Sequence, residues 1–455
     1  MTFGASGPIP GSVSREQPAD IMEFVSRRKN EFGKSDTPGN TIGRLEAKIG
    51  ALWEYEYVEE RLAEHLYWSL LLIPELGWRS MGKGISPELC RASALAEAAE
   101  AAGWLTGSEV KRLPGYVNAH QDELDDPLRI DDLLSHVATA TPPVLEKIKN
   151  LECARHWIDA YSLMENRTRK VPIEYVRLIS WGNGHAAGNT LEEAVDHGVN
   201  EVFERRAQVT ILRDRMVAPT IDIESIDSPV VRSQIEFFRS KGIEAHVKDL
   251  SFEGQLPCIG VYFLDHNIPE DFQFKHFFKV GSSFDREDAL IRCFTEFAQH
   301  RKLEDFIQSG EAERKRLLER AFRNLKCIPA DGDNLLSSFL FGLVPYADAG
   351  FLLEGDVVAF DRGDCFDDFL DDIGRAREIC ALLGKDFLVV DFTDPGIGFP
   401  AVQVIIPGYG DVLPYHPGSS DALFRAVPRE ELLDTYERGP GGGATYFSAS
   451  SPDGG

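Results

Sequence analysis

Residues 180–206 read SWGNGHAAGNTLEEAVDHGVNEVFERR, and the parsing of that stretch decides the fold. The preceding EYVRLIS (174–180) is apolar and partly β-branched, which reads as a strand. A glycine-bearing turn follows. Asn189 and Thr190 then cap a helix, with Glu193 completing a Thr-x-x-Glu capping box, and the free N–H groups of such an end suit a phosphate. On a helical wheel Leu191, Ala194, Val195, Gly198, Val199 and Val202 form a buried stripe, and His197, Glu201, Glu204 and Arg205 follow one edge of it.

Two other segments repeat this arrangement inexactly. ASALAEAAE (92–100), HGVNEVFER (197–205) and IRCFTEFAQ (291–299) carry Glu97/Glu100, Glu201/Glu204 and Glu296/Gln299, with Arg292 on the last face. A spacing of three puts both side chains of a pair on one helical face, about 5–6 Å apart at Cβ. One such pair is ordinarily a solvated flank. Three beside apolar stripes imply carboxylates that converge, and converging carboxylates repel unless a cation sits between them. Hard oxygen donors select Mg2+, which usually arrives with phosphates.

Around these helices the chain alternates. Further helices are expected over Thr41–Ala63, Pro87–Ala102, Ser233–Ser240, Arg286–Gln308, Ala312–Asn324 and Asp367–Leu383, with the central one over Leu191–Ala207. Strands are expected in EAHVKDLS (244–251), CIGVYFLD (258–265), FKHFFKVGS (274–282), DFLVVDFT (386–393) and AVQVIIPG (401–408). This is an α/β chain of mixed order, not a clean βαβ series. Residues 1–32 read as a mobile arm, 33–417 as one body of two loosely separable lobes, and 418–455 as a segment ending in a Gly/Ser/Pro-rich tail.

Composition sets the outer limits. Subtracting 48 Lys+Arg from 74 Asp+Glu leaves a formal charge of −26 over 455 residues, against any nucleic-acid or anionic-membrane partner. No apolar run approaches the ~20 residues of a membrane span, and residues 1–20 lack the order of a signal peptide, so the expected setting is cytoplasmic. The seven cysteines are scattered, with no CxxC clamp, and the eleven histidines contain no HExxH pair.

Two glycine motifs imitate other nucleotide folds. GWRSMGKG (77–84) matches part of a phosphate loop, but Gly84 stands where the metal-binding Ser/Thr belongs. GNGHAAG (182–188) imitates a dinucleotide fingerprint and would make the chain a Rossmann-like NAD(P) oxidoreductase. The acids at the right distance, Glu201 and Glu204, lie inside the helix itself rather than at the end of a next strand.

Taken together, the blocks resemble the YcaO family. SWGNGHAAGNTLEEAVDHGVNEVFERR (180–206) and SSFDREDALIRCFTEFAQHR (282–301) look like its two signature blocks, and GKGISPELCRASALAEAAE (82–100) like an earlier one. GKSDTPGNTIGRLEAKIG (33–50) resembles its Lys-plus-hydroxyl nucleotide segment, and IIPGYGDVLP (405–414) its late strand-loop. The resemblance implies a mixed-sheet YcaO-type fold with an ATP site, lacking a P-loop, in a cleft lined by acidic helices. It implies that Glu97, Glu100, Glu201, Glu204 and Glu296 hold Mg2+ ions bridging the phosphates. Lys34, Arg205 and Arg292 would neutralise phosphate charge, Thr41, Ser93 and Asn189 would bond around the nucleotide, and Gln299 would support the metal shell.

The implied chemistry is activation of a peptide amide. A nucleophile adds to the amide carbon, the oxygen is phosphorylated, and phosphate leaves, giving azolines with Cys, Ser or Thr and thioamides with sulfide. The closing SSPDGG differs from the Pro-rich tail common in azoline-forming members. With so few residues ahead of Lys34, substrate recognition is expected to fall to a partner protein, TfuA-like or ThiF-like, and the family suggests a homodimer. In layout the chain is similar to stand-alone bacterial members implicated in β-methylthiolation of a small-subunit ribosomal protein. An ATP-binding accessory role is therefore the alternative to direct modification.

Overall fold

In a computed structural model, residues 22–409 are described except 77, 106–112, 136–154, 181, 269–274 and most of 300–348. The first helix, α1 (Pro38–Leu52), starts at a Thr37 cap with Pro38 at its first position. It ends well short of the expected Ala63. The remainder, EYVEERLA, is strand β1 (Glu56–Ala63), paired antiparallel with β2 (Leu66–Ile73), which pairs in turn with β3 (Trp78–Gly84). Glu, Arg, Leu and Ala favour helix in isolation, but register with the apolar β2 overrides that preference. The stretch that imitates a phosphate loop is thus β3. β1 forms the open edge of this sheet among the described residues, with Val58 at 55% exposure.

Helix α2 (Pro87–Leu105) returns across β3. An antiparallel sheet follows, built from β4 (Val117–Asn118), β5 (His156–Ser162), β6 (Arg167–Pro172), β7 (His185–Ala187), β13 (Leu388–Asp391) and β14 (Ala401–Ile405). Its order is β4-β5-β13-β14-β7, with β6 also on β5. Short α3 (Ile130–Ser135) and α4 (Ile173–Ser180) lie between these strands in sequence. EYVRLIS therefore belongs to a helix, a correction to its reading as a strand. Ile173, Val176 and Ile179 are buried at a spacing of three, the helical period, and a short apolar run does not distinguish the two states.

The third sheet has the order β11-β10-β9-β8-β12. Its strands are β8 (Thr220–Ile221), β9 (Ile243–Asp249), β10 (Cys258–Asp265), β11 (His276–Ser282) and β12 (Val357–Val358). Helix α5 (Leu191–Arg213) contacts β11 and β10 on one side and β14 and β7 on the other, so it joins the last two sheets. Helix α6 (Pro229–Ser240) and helix α7 (Arg286–Ala298) pack on the β9–β11 face in an aromatic cluster of Phe238, Phe263, Phe294 and Phe297. The last helix, α8 (Phe369–Leu382), packs on α5. The expected extension of α7 to Gln308 lies beyond 300, and that and most of the helix expected over Ala312–Asn324 fall outside the described residues.

Two of the acidic helices are seated by the same device. A Cβ on Gly82 of β3 would run into the Cys90 carbonyl of α2, and a Cβ on Gly281 of β11 into the Ala289 carbonyl of α7. Gly82 precedes Glu97 and Gly281 precedes Glu296 by the same fifteen residues, so close strand–helix approach sets the height of each carboxylate. Gly281→Ala is expected to push α7 away and cost roughly 1–3 kcal/mol, read from the urea midpoint. Gly43→Ala, on an open face of α1, should stabilise by about 0.5–1 kcal/mol. Equal effects from the two substitutions would show that close approach is not what Gly281 provides.

Candidate functional site

A fold that places α5 between two sheets buries a helix that is far from apolar. Glu192, Glu193, Asp196, Asn200, Glu204 and Gln208 are all buried along it. Glu193, His197, Glu201 and Arg205 fall four apart on one face, a polar stripe about 18 Å long at 1.5 Å per residue. Thr190 caps the first turn by accepting from the Glu193 amide at 3.3 Å, as the capping box predicts.

The near end of the stripe is a hydrogen-bonded chain reaching the N-terminal segment. Thr41 Oγ1 donates to Asn189 Oδ1 at 2.7 Å, and Arg44 donates to the same oxygen at 2.6 Å. Asn189 Nδ2 donates to Glu193 Oε2 at 3.2 Å, which also accepts from the Ser35 hydroxyl at 2.6 Å and amide at 3.1 Å. Lys34 Nζ lies 3.7 Å from Glu193 Oε1 and 2.6 Å from His197 Nε2. Burial lowers the Lys34 pKa, with Glu193 opposing and Arg292 reinforcing the shift. Burial, then Lys34 and Arg292, hold His197 well below its usual value, so the ring is neutral and accepts from Lys34.

The far end collects the carboxylates. Glu201 Oε2 accepts from the Gly184 amide at 2.9 Å and Glu201 Oε1 lies 3.6 Å from Arg205, while Arg205 meets Glu204 at 2.6 Å. Gly184 has φ +83, and a Cβ there would strike the Val404 carbonyl, so the GNG turn serves a tight approach to β14. It is no dinucleotide loop, because β7 pairs antiparallel with β14 rather than opening a parallel βαβ unit. That removes the Rossmann-like oxidoreductase reading.

From α2, Glu97 accepts from the Met81 amide at 3.1 Å, and Glu100 faces His185 at 3.6 Å. From α7, Glu296 meets Lys83 Nζ at 2.6 Å. Ser93 accepts from the Lys83 amide at 3.4 Å and Gln299 donates to the Met81 carbonyl at 3.1 Å. Both therefore brace β3 against the helices. Glu100 and Glu201 keep 30% and 31% side-chain exposure, enough for a ligand to reach them.

These acids act on one another. Burial pushes Glu97 and Glu204 up to about 7, with Glu201 and Glu296 adding to the rise in each. Burial also raises Glu201, and it raises Glu100 strongly, helped by Glu201 and Glu97. Glu296 goes the other way: burial opposes ionisation, but Lys83, Lys279 and Arg205 overrule it and hold the carboxyl at about 2. Among the described residues no group of three His, Cys, Asp or Glu is close enough to hold one ion unaided.

Sequence reasoning missed three members. Glu193 reads as a capping-box acid yet organises Lys34, Ser35 and Asn189. Lys83 was visible in the 82–100 block but given no role, and its charge favours ionisation of all five carboxylates. Lys279 carried no signal at all.

A family model described as YcaO cyclodehydratase, ATP- and Mg2+-binding, matches residues 81–410. The chain belongs to the YcaO family. The "ribosomal protein S12 methylthiotransferase accessory factor YcaO" of Escherichia coli is 27% identical over 257 residues, 55% of this chain and 40% of that protein. An uncharacterized protein of Methanothermobacter thermautotrophicus is 26% identical over 53% of this chain and 61% of its own length. The chain thus matches only about half the length of these relatives. Among solved structures, a heterocyclase in complex with substrate and cofactor superposes with a TM-score of 0.65 at 20% identity, covering 86% of this chain and 54% of the other. YcaO from Methanopyrus kandleri bound with AMPPCP and Mg2+ does so with a TM-score of 0.55 at 18% identity, covering 83% and 92%. Those likenesses establish the mixed α+β YcaO fold. No helix among the described residues is long and apolar enough to cross a membrane.

The raised carboxyl groups give this YcaO protein a pH signature. Glu97 and Glu204, at about 7, lie above the ordinary 4.5, so the folded state holds protons that the unfolded chain has released. Their contribution to stability is complete below 4.5 and is lost as pH rises through 7, while that of Glu296, held at about 2, is already complete above 4.5. The thermal midpoint of the nucleotide-free protein is expected to fall across that window, and the Glu97→Gln/Glu204→Gln pair to flatten the fall. A midpoint that rises there in the wild type would contradict the assignment.

Proposed function

We propose that this YcaO protein binds ATP with Mg2+ between α2, α5 and α7 and uses it to activate a peptide backbone amide by phosphorylating its oxygen. The observation that carries the reading is the convergence of Glu97, Glu100, Glu201, Glu204 and Glu296 from three helices, with Lys34, Arg205 and Arg292 along the same stripe. Without a cation, several of these acids are driven toward their protonated forms at neutral pH, which is a poor use of five carboxylates in a purely structural role. The donor set fits Mg2+: all are hard oxygens, and this ion usually takes one or two carboxylates and completes its shell with water and phosphate oxygens. That preference agrees with the lack of a three-residue chelate among the described residues.

In this reading Mg2+ offsets charge on the transferring phosphoryl group. Lys34, reached through the Glu193–Ser35 contact, and Arg292 meet phosphate oxygens, while Arg205 stays bound to Glu204 and fixes its direction. Thr41 and Asn189 present bonded polar groups at the near end for the rest of the nucleotide, and Ser93 and Gln299 hold β3 in place. The nucleophile adds to the amide carbon. The carbonyl oxygen takes the phosphoryl group and leaves as phosphate, so a neighbouring Cys, Ser or Thr gives an azoline and sulfide gives a thioamide. The described cysteines are all free, and we place the protein in the cytoplasm, where ATP and thiols are available. The solved heterocyclase with substrate and cofactor, and the Methanopyrus kandleri protein with AMPPCP and Mg2+, support the assignment.

The 27% identity to the Escherichia coli accessory factor favours a second reading, an ATP-binding accessory factor for ribosomal-protein methylthiolation. In either case we infer a homodimer that takes its peptide or protein substrate with help from a TfuA-like or ThiF-like partner. Glu201→Gln and Glu296→Gln should each weaken MgATP binding by at least about tenfold, roughly 1.4 kcal/mol, measured by calorimetry. Unchanged affinity in both would end the nucleotide reading. Intact mass of a co-expressed peptide then separates the branches: loss of water marks an azoline, exchange of oxygen for sulfur a thioamide, and no change the accessory role.

A further inference from the structure

Residues 22–32, placed by sequence in the arm, are docked by a series of polar contacts. The Val25 amide donates to Glu192 Oε1 at 2.8 Å, and Arg27 lies 3.7 Å from the other Glu192 oxygen. The Arg27 amide donates to Asp368 Oδ1 at 2.9 Å, the Phe369 amide returns to the Arg27 carbonyl at 3.0 Å, and the Lys29 amide donates to the Asp367 carbonyl at 2.8 Å. Ser26 bonds Asp368 as well. The strap is thereby fastened to the start of α8, an element that carries none of the nucleotide residues.

One of its fastenings is an ion pair. The Lys29 ammonium meets the Asp372 carboxylate, whose side chain is 0% exposed. Asp372 is pushed up to about 7 by burial and by the neighbouring Asp196, and Lys29 is the charge that opposes the rise. A buried carboxylate with one cation facing it is costly to strand, so Lys29 has a fixed place. From there a tight loop leads directly into the site. Asn30 Oδ1 accepts from the Phe32 and Lys34 amides at 2.9 and 3.1 Å, Asn30 Nδ2 donates to the Asp36 carbonyl at 2.8 Å, and the Asn30 amide donates to the Lys34 carbonyl at 2.8 Å. Lys29 and Lys34 are thus the two ends of one rigid turn.

We propose that Lys29 and Asp372 are positioning residues for the nucleotide, acting through Lys34 by fixing the turn that carries it. The inference rests on the reading of Lys34 as a phosphate ligand. It makes α8 a determinant of nucleotide affinity without any contact to the nucleotide. A lysine held in place before the ligand arrives loses less freedom on binding, and that difference is what the tether supplies.

The test is a double-mutant cycle on the full chain, with MgATP affinity from calorimetry and amide hydrogen exchange over residues 25–36 without nucleotide. Asp372→Asn, nearly isosteric, should weaken MgATP by about tenfold and speed exchange across the turn. Lys34→Ala should also weaken it, and the double variant should bind no more weakly than Lys34→Ala alone. Lys29→Met should reproduce Asp372→Asn and Lys29→Arg should restore affinity, which covers the case of an Asp372 variant that does not fold. Losses that multiply in the double variant, or unchanged exchange and affinity in both Asp372→Asn and Lys29→Met, would overturn the proposal while leaving ATP binding intact. A wild-type protein that binds no MgATP would instead remove the nucleotide reading on which it rests.

Discussion

Desolvation of acidic side chains on α5 is the constraint around which the rest of the molecule is arranged. A helix enclosed by two sheets ordinarily carries apolar residues on most faces, and this one instead buries Glu192, Glu193, Asp196 and Glu204. Each is made tolerable by a specific neighbour: the Val25 amide and Arg27 for Glu192, Ser35 and Asn189 for Glu193, the Asn200 side-chain amide for Asp196, and Arg205 for Glu204. The cations that serve them come from far apart in sequence. Lys29 and Lys34 precede the first helix, Lys83 lies near the end of β3, Arg292 sits in α7, and Arg205 is local. Charge balance around one helix therefore draws on residues from β3, α7 and the N-terminal strap as well as on its own turns.

Strand glycines are what permit that balance. Gly82 and Gly281 allow α2 and α7 to lie against their strands at a distance no side chain would permit. Glu97 and Glu296 consequently face the α5 stripe from two directions, with Met81 and Lys83 of β3 between them. The same strand backbone receives Ser93 and Gln299, so residues that resemble ligands in a linear motif also act as braces. Brace and ligand are not exclusive roles, since a carboxylate is useful to a metal only if its backbone is held.

Much of this was legible in the sequence because the relevant signals are local. The Thr190 cap, the paired acids at a spacing of three and the strand CIGVYFLD all occur where they were expected, although the Glu193 carboxylate turns to Ser35 and Asn189 instead of closing a capping box. What failed did so where tertiary pairing decides. EYVEERLA has helical propensity and became an edge strand by registering with LYWSLLLI, while EYVRLIS has a strand-like composition and became a helix by burying Ile173, Val176 and Ile179. WRSMGKG matches a phosphate loop only in part, and its glycines serve helix approach instead. Lys83 and the strap contacts of Lys29 had no local signature, since their partners lie more than 200 residues away, Glu296 for the one and Asp372 for the other, while Lys279 looks like an ordinary strand residue until β11 and α7 bring it to Glu296.

The open edge of β1 carries a last consequence. A strand edge with no partner among the described residues offers its amides and carbonyls to any passing chain, and Val58 on it is largely uncovered. Yet the sequence there is EYVEERLA, with Glu56 and Glu59 exposed beside Glu54. Two copies approaching rim to rim would bring glutamates against glutamates, so runaway stacking of sheets is opposed by the same acidic surplus that elsewhere gathers around α5, and high ionic strength would relax that protection.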